Sequence, residues 1–362
     1  MKRAHAQQMD VIEATNAYEA WMGRHLSIVK PDLAFKHATL TEDAFVFLRG
    51  TFYRWCQLWP TVCDHLVDAP VVPSIGDLHI ENFGTWRDAE GRLVWGVNDV
   101  DEACRLPYTN DLVRLAASAT LAARHGKLDR TARDLCDAVL DGYTAAIDAQ
   151  GRPFVLAERR QWLRQLALNR LRDPVTFWPK FDALPRARGD IPYNLLRAAL
   201  PDPRLPFRVV RRVAGVGSLG RPRLAALAEW RGARIAREAK RWLPSGAVWA
   251  TGRSSIGMSG ALLLARAVRT PDPYLQIHDD WIVRRLAPDC SRIELVDLPR
   301  VRDEERLLRA MGAETANFHV VHARAAIRAD LKRRNRRWLE RAAGDMAAAT
   351  EKDWRRWVRR DR

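Results

Sequence analysis

The period of the hydrophobic pattern changes twice along this chain. Apolar residues recur at helical spacing up to about residue 171, alternate in strand fashion from about Phe207 to Leu298, and return to helical spacing from Glu304. Period selects element type, because side chains repeat every ~3.6 residues on a helix and every second residue on a strand. The order predicts an α+β fold with a helical body interrupted by a smaller β-rich unit: 1–206, 207–298 and 299–362.

Within that order, helices are expected over Met9–Met22, Asp43–Trp59, Asn110–Arg124, Leu128–Ala149, Ala157–Leu171 and Glu304–Ile327. Asn110 or Thr109 would cap the third. Val67–Ile75 reads as a short apolar strand, with prolines that suit an edge. Leu93–Val97 follows the turn Asp88-Ala-Glu-Gly91 and reads as another. Prolines crowd 173–206 and mark loops or a linker. Strands follow at Phe207–Ala214, Trp281–Leu286 and Arg292–Leu298.

The length, 362 residues, suits two domains or one large two-lobed one. Hydrophobic residues make up 47% and charged residues 29%, a globular balance. No apolar run approaches the roughly 18 residues of a membrane span, and the N-terminus lacks a signal-peptide core. Five widely spaced cysteines without a Cys-x-x-Cys argue against a disulfide framework or structural zinc and point to the cytoplasm. The net charge is +16. The segment from Arg328 to the C-terminus holds 13 Lys/Arg against six Asp/Glu, so +7 of that excess is concentrated there. Trp338, Leu339, Trp354, Trp357 and Val358 recur there at helical spacing. A helix docked through its tryptophans is favoured over a nucleic-acid surface, since no recognition motif accompanies the charge.

Chemistry concentrates in Ile75-Gly-Asp77-Leu-His79-Ile-Glu-Asn82-Phe-Gly84, where a carboxylate, an imidazole and a carboxamide lie within six residues. Asp77 can accept a proton. Asn82 offers a neutral oxygen to a hard cation. After a turn and a strand comes Val97-Asn98-Asp99-Val100-Asp101-Glu102, an acidic cluster at a strand end. Magnesium takes one or two such carboxylates together with substrate phosphates. Either segment alone reads equally well as a capped loop with solvated acids; the pair favours a site.

A second motif, Gly215-Val-Gly217-Ser218-Leu-Gly220, follows a strand. Three readings stay open. A dinucleotide fingerprint needs a helix next and an acid about 20 residues on; Pro222, the helix-permissive Leu224–Trp230 and Glu238 would serve. A kinase-type loop needs a strand, a turn and a strand carrying a cation. Arg231-Gly232-Ala233 and Ile235–Lys240 would serve. A plain surface loop is the third. Local propensity over 221–240 favours helix.

Gly-Asp-Leu-His-x-x-Asn followed by a strand and an Asp is similar to the catalytic and metal loops of aminoglycoside-phosphotransferase-like kinases, although Ile75 stands where those enzymes have the first His of His-Gly-Asp. The wider pattern resembles an uncharacterised bacterial family, domain of unknown function 2252. It rests on Phe45-Val-Phe47-Leu-Arg49-Gly50, Gly76 to Gly84, Asn98 to Glu102, Asp111-Leu-Val-Arg114-Leu-Ala-Ala-Ser118 and the glycine motif.

The resemblance implies an ATP- and Mg²⁺-dependent phosphotransferase acting on a small-molecule or protein acceptor. Asp77 and His79 would form its catalytic loop, and Asn82, Asp99 and Asp101 its metal ligands. Gly215, Gly217, Ser218, Gly220 and Arg237 or Lys240 would bind the nucleotide. Asp111 would brace the loops and Arg114 would pair with an acid there. Arg237 stands where the family has lysine, and Lys240 is on the opposite strand face. Because the glycine motif follows the catalytic loop, the implied fold is protein-kinase-like but circularly permuted. A non-catalytic nucleotide- or partner-binding module is the alternative; nucleic-acid binding ranks third. His319 and His322 read as core or cap residues.

Overall fold

The computed structural model describes residues 9–157, 159–168, 173–278, 280–288, 290 and 301–360. Among the described residues four helices come first: α1 (Val11–Gly23), α2 (Lys30–Thr39), α3 (Ala44–Gly50) and α4 (Phe52–Val62). The single helix expected over Asp43–Trp59 is therefore two. Thr51 breaks it with φ −131° and ψ 42°, and its hydroxyl donates to the Phe47 carbonyl at 2.7 Å. That bond satisfies one of the carbonyls left open where α3 ends.

Two short antiparallel ladders follow. Strand β1 (Val71–Ser74) pairs with β4 (Cys104–Pro107), and β2 (Phe83–Arg87) pairs with β3 (Leu93–Val97). Helix α5 (Tyr108–Arg124) leaves β4 directly, two residues before the expected cap, and every side chain from Tyr108 to Ala122 is buried. Helix α6 (Ala132–Asp148) is capped by Thr131, and α7 covers Gln161–Leu168.

The proline-rich stretch read as linker contains two helices, α8 (Pro174–Asp182) and α9 (Tyr193–Ala198). At the first position of a helix the missing proline N–H has no partner to lose. Pro174 sits there, behind an Asp173 cap. Punctuation by proline thus marked a helix start as well as loops.

The β-rich unit is one antiparallel sheet of β5 (Phe207–Arg211), β6 (Arg223–Trp230), β7 (Ala233–Arg241), β8 (Gln276–Ile277) and β9 (Trp281–Leu286), in the order β5-β6-β7-β9-β8. Helices α10 (Gly246–Thr251) and α11 (Gly260–Arg266) lie between β7 and β8 in sequence. The helical preference over 221–240 is overridden. Arg231 and Gly232, both at positive φ, reverse the chain so that β6 and β7 pair along their length. Burial of both sheet faces outweighs propensities of a few tenths of a kcal/mol per residue. Leu196 packs with Leu224, Ala226 and Ala239 on one face; Phe177 and Phe181 pack with Val210, Ala225 and Ala236 on the other. The strand expected at Arg292–Leu298 lies outside the described residues.

Two long helices complete the body: α12 (Val301–Arg333), kinked at Ala323, and α13 (Trp338–Val358). Helix α12 crosses α6 so closely that a Cβ on Gly142 would stand 1.9 Å from the Arg309 carbonyl oxygen. Helix α13 docks through Trp338, Leu339, Met346 and Trp357, all buried. Arg337 pairs with Glu340 at 2.7 Å and Arg334 with Asp330 at 2.6 Å, as the docked-helix reading expects. All five cysteines are unbridged. No helix among the described residues is long and apolar enough to cross a membrane.

Candidate functional site

The loop between β1 and β2 carries Asp77, and α5 holds it from below. Asp111 accepts the backbone N–H groups of Ile75 (2.8 Å) and Gly76 (3.0 Å), and His319 on α12 stands 3.1 Å from the same carboxylate. Gly76 has φ +84°, and a Cβ there would lie 2.2 Å from the Glu102 carbonyl oxygen. Only glycine allows the loop on each side of that contact to approach the other. One turn beyond Asp111, fully buried Arg114 donates through Nε (3.0 Å) and through a second guanidinium nitrogen to Asp77 Oδ1. Its third partner is the Leu48 carbonyl, and the Phe52 and Trp55 rings sandwich it at 5.0 and 4.9 Å. Burial raises the Asp77 carboxyl above its ordinary value, with Arg114 pulling the other way.

Asn82 ties the two acidic loops together. Its amide donates to the Asp77 carbonyl at 3.1 Å and to the Asp99 carbonyl at 3.0 Å. Both N–H bonds are thereby used, so Oδ1 is the free end of the side chain, and Asn82 lines the cleft. His79 also lines it; its Nδ1 accepts the Glu81 N–H at 3.2 Å. Arg49, from the Phe-x-Phe-x-Arg-Gly segment, pairs with Glu81 at 2.5 Å.

The loop joining β5 to β6 contains the glycine motif. A single turn, Val216–Ser218, packs on α3, and a Cβ on Gly217 would be 3.1 Å from the Arg49 carbonyl and 3.5 Å from Asp77 Oδ2. Gly220 accepts from the Val29 N–H at 2.9 Å. Arg223 supports the loop from behind, donating to Ser218 Oγ at 2.6 Å and to Glu238 at 2.9 Å. Glu238 also binds Arg284 (2.8 Å) and Arg212. Burial works against its charge, yet the three arginines hold its carboxyl well below the usual range.

Lys240 on β7 enters the same region. It pairs with Asp101 and lies 3.2 Å from Asp99. Burial opposes the charge on Asp99, but Lys240 holds it well below its ordinary value. Burial and the neighbouring Asp99 charge push Asp101 up, to about 7. Arg237 faces the other way: its Nε donates to the Ala199 carbonyl at 2.8 Å on the α9 side of the sheet.

The structure therefore gathers Asp77, His79, Asn82, Asp99, Asp101, Gly215, Gly217 and Ser218 around one cleft. Lys240 borders it through its acidic partners, Gly220 packs against α2, and Arg237 stands apart. No group of three or more His, Cys, Asp or Glu side chains is placed to hold a metal ion among the described residues. Mixed sites that rely on a carbonyl oxygen and ligand phosphates remain compatible with that arrangement. The free Asn82 Oδ1 beside Asp99 is such a donor set, all hard oxygen.

Sequence reasoning missed Lys36, Arg221 and the arginine cluster on Glu238. Arg221, at the end of the glycine loop, donates to Glu102 (3.0 Å) and to the Tyr18 hydroxyl (3.2 Å). Arg49 was visible inside a motif; nothing local in sequence singles out the others.

Residues 29–174 match the model of a family described as an uncharacterized protein conserved in bacteria, DUF2252. The match spans α2 to the start of α8 and includes both acidic loops. It ends before the glycine motif. No curated protein matches the chain, and no solved structure does.

Proposed function

We propose that this chain is an ATP- and magnesium-dependent phosphotransferase of kinase-like, two-lobed and circularly permuted fold, acting on a hydroxyl-bearing acceptor in the cytoplasm. The observation that carries the reading is the meeting of the glycine loop, Asp77 and the Asn82–Asp99 pair at one cleft. The sheet adds support. Its glycine loop joins the first two strands and its cleft-side cation, Lys240, sits on the third, the order that a kinase-type phosphate site uses. The unbridged cysteines suit a reducing compartment.

In this reading the glycine-loop amides and Lys240 bind the triphosphate. Asn82 and Asp99 would hold Mg²⁺, which neutralises charge on phosphate oxygens when bound. Asp77 accepts the acceptor's hydroxyl proton while that oxygen bonds to the γ-phosphorus. The bond from γ-phosphorus to the bridging oxygen breaks and ADP leaves. Arg114 occupies Asp77 Oδ1 and so leaves Oδ2, which faces Gly217, for the proton. A carboxyl raised by burial is a stronger base than a free one.

Asp77→Asn keeps an oxygen for Arg114 and tests the role without stranding a buried guanidinium. ADP release from ATP and Mg²⁺ by the purified protein is expected to fall about 10²–10⁴-fold, the usual worth of a general base. Unchanged release would remove Asp77 as the base. One observation favours a second reading, a kinase-like module that binds without turnover: α8 covers the apolar part of the sheet's cleft-side face. Stoichiometric binding with ATP intact after long incubation would select it.

A further inference from the structure

The cations around the cleft are unequally provided for. Arg114 is tied to Asp77, Arg49 to Glu81, Arg221 to Glu102, and Lys240 to Asp99 and Asp101. Lys36 on α2 lines the same cleft and is 3% exposed, and its ammonium makes no hydrogen bond or ion pair among the described residues. Its Nζ lies over the Tyr53 ring, 5.9 Å from the centroid, at the outer edge of a useful cation–π distance. Tyr53 stacks on Tyr18 at 4.2 Å, and Tyr18 accepts from Arg221. Lys36 thus stands among aromatic rings and one committed arginine, with no carboxylate bonded to it.

An ammonium held largely out of water, open only to the cleft and without a bonded anion, is costly unless a ligand supplies its partner. Burial pushes Lys36 down to about 8, while Glu19, Glu102 and Asp77 pull it up from a distance and Arg221 opposes them. Packing alone would be served better by methionine. The helix that carries Lys36 also presents Leu33 to Gly220, so the ammonium is delivered next to the glycine loop, on the side where Asp77 lies.

We propose that Lys36 is the cleft's receptor for a phosphoryl oxyanion: a phosphate group supplies the missing charge partner. This rests on the phosphotransferase reading for its location at the reacting end of the cleft, and it deepens that reading. The phosphate has two possible sources, the terminal phosphate of a nucleoside triphosphate or a phosphate on the acceptor.

The test is titration calorimetry on the full chain with Mg²⁺, comparing wild type, Lys36→Met and Lys36→Arg. The probes are ADP, β,γ-imido-ATP, and inorganic phosphate added to the ADP complex. If Lys36 meets the terminal phosphate, Lys36→Met weakens imido-ATP by about ten- to a hundredfold, the worth of a charged hydrogen bond. ADP affinity then stays unchanged, and Lys36→Arg restores most of the loss. If Lys36 meets an acceptor phosphate, both nucleotides bind as before and the inorganic phosphate titration weakens by a similar factor. Equal affinities for all probes in wild type and Lys36→Met overturn the proposal. If wild type binds neither nucleotide, the phosphotransferase reading fails. Inorganic phosphate on the free protein then judges Lys36: weaker binding in Lys36→Met supports it, and equal or absent binding overturns it. Thermal melts confirm that each variant is folded.

Discussion

At the scale of single residues, Lys36 and Glu238 are two buried charges in opposite circumstances. Glu238 is ringed by Arg212, Arg223 and Arg284, whereas Lys36 has no anion bonded to it. The folded-state pKa of Lys36 is lowered from 10.5 to about 8. Between those values the unfolded chain binds more protons, so stability rises with pH across that window. Lys36→Met removes the effect. It is expected to unfold in urea with about 1–3 kcal/mol more stability than wild type at pH 7, the order of a shift of two to three units, a gap that narrows to below about 1 kcal/mol at pH 10 and closes above 10.5. No gap at pH 7 would mean that the ammonium is well solvated. Asp77, Asn82 and Asp99 were legible in sequence, because their chemistry sits in contiguous motifs. Lys36 was not, because lacking a partner is a property of the surroundings.

At the scale of elements, the informative case is α8. Alternating strand residues give the sheet two faces, and α8 lays Phe177 and Phe181 on the face that also bears Glu238 and Lys240. If a nucleotide's phosphates lie at Lys240, as proposed, its base would run along that face and compete with α8 for one surface. The double variant Phe177→Ser with Phe181→Ser is expected to bind a fluorescent ATP analogue severalfold more tightly than wild type. Equal affinity would locate the base elsewhere. Helix α8 was hidden in sequence by the prolines of 173–206, since a proline that opens a helix and one that interrupts a loop look alike locally.

For the whole molecule, several of the C-terminal arginines are paired with acids around a docked C-terminal helix, while the net positive charge remains. Arg54 binds Asp353 at 2.7 Å and Arg356 reaches Asp10 at 3.3 Å, joining α13 to the N-terminal helices. Trp357 is 2% exposed and donates to the His37 carbonyl at 3.2 Å, behind the helix that carries Lys36. Trp357→Ala is expected to cost about 3–5 kcal/mol by chemical denaturation, as for other large-to-small changes in a packed core. A loss below about 1 kcal/mol would show that α13 is only loosely attached.

The sequence by itself determined what depends on neighbours along the chain. Helical and strand periods, the turn after Arg87, and the acids and amide of the two loops were readable because each rests on spacing; the bracing roles of Asp111 and Arg114 came only from the family resemblance. Only the tertiary structure decided which way the faces point. Arg237 and Lys240 were known to oppose each other; packing of Leu196 and its neighbours on one side turned Lys240 toward the acids. It likewise brought a glycine loop beside a carboxylate more than a hundred residues earlier. Alternation along a strand defines two faces, and only what covers each face says which is the cleft.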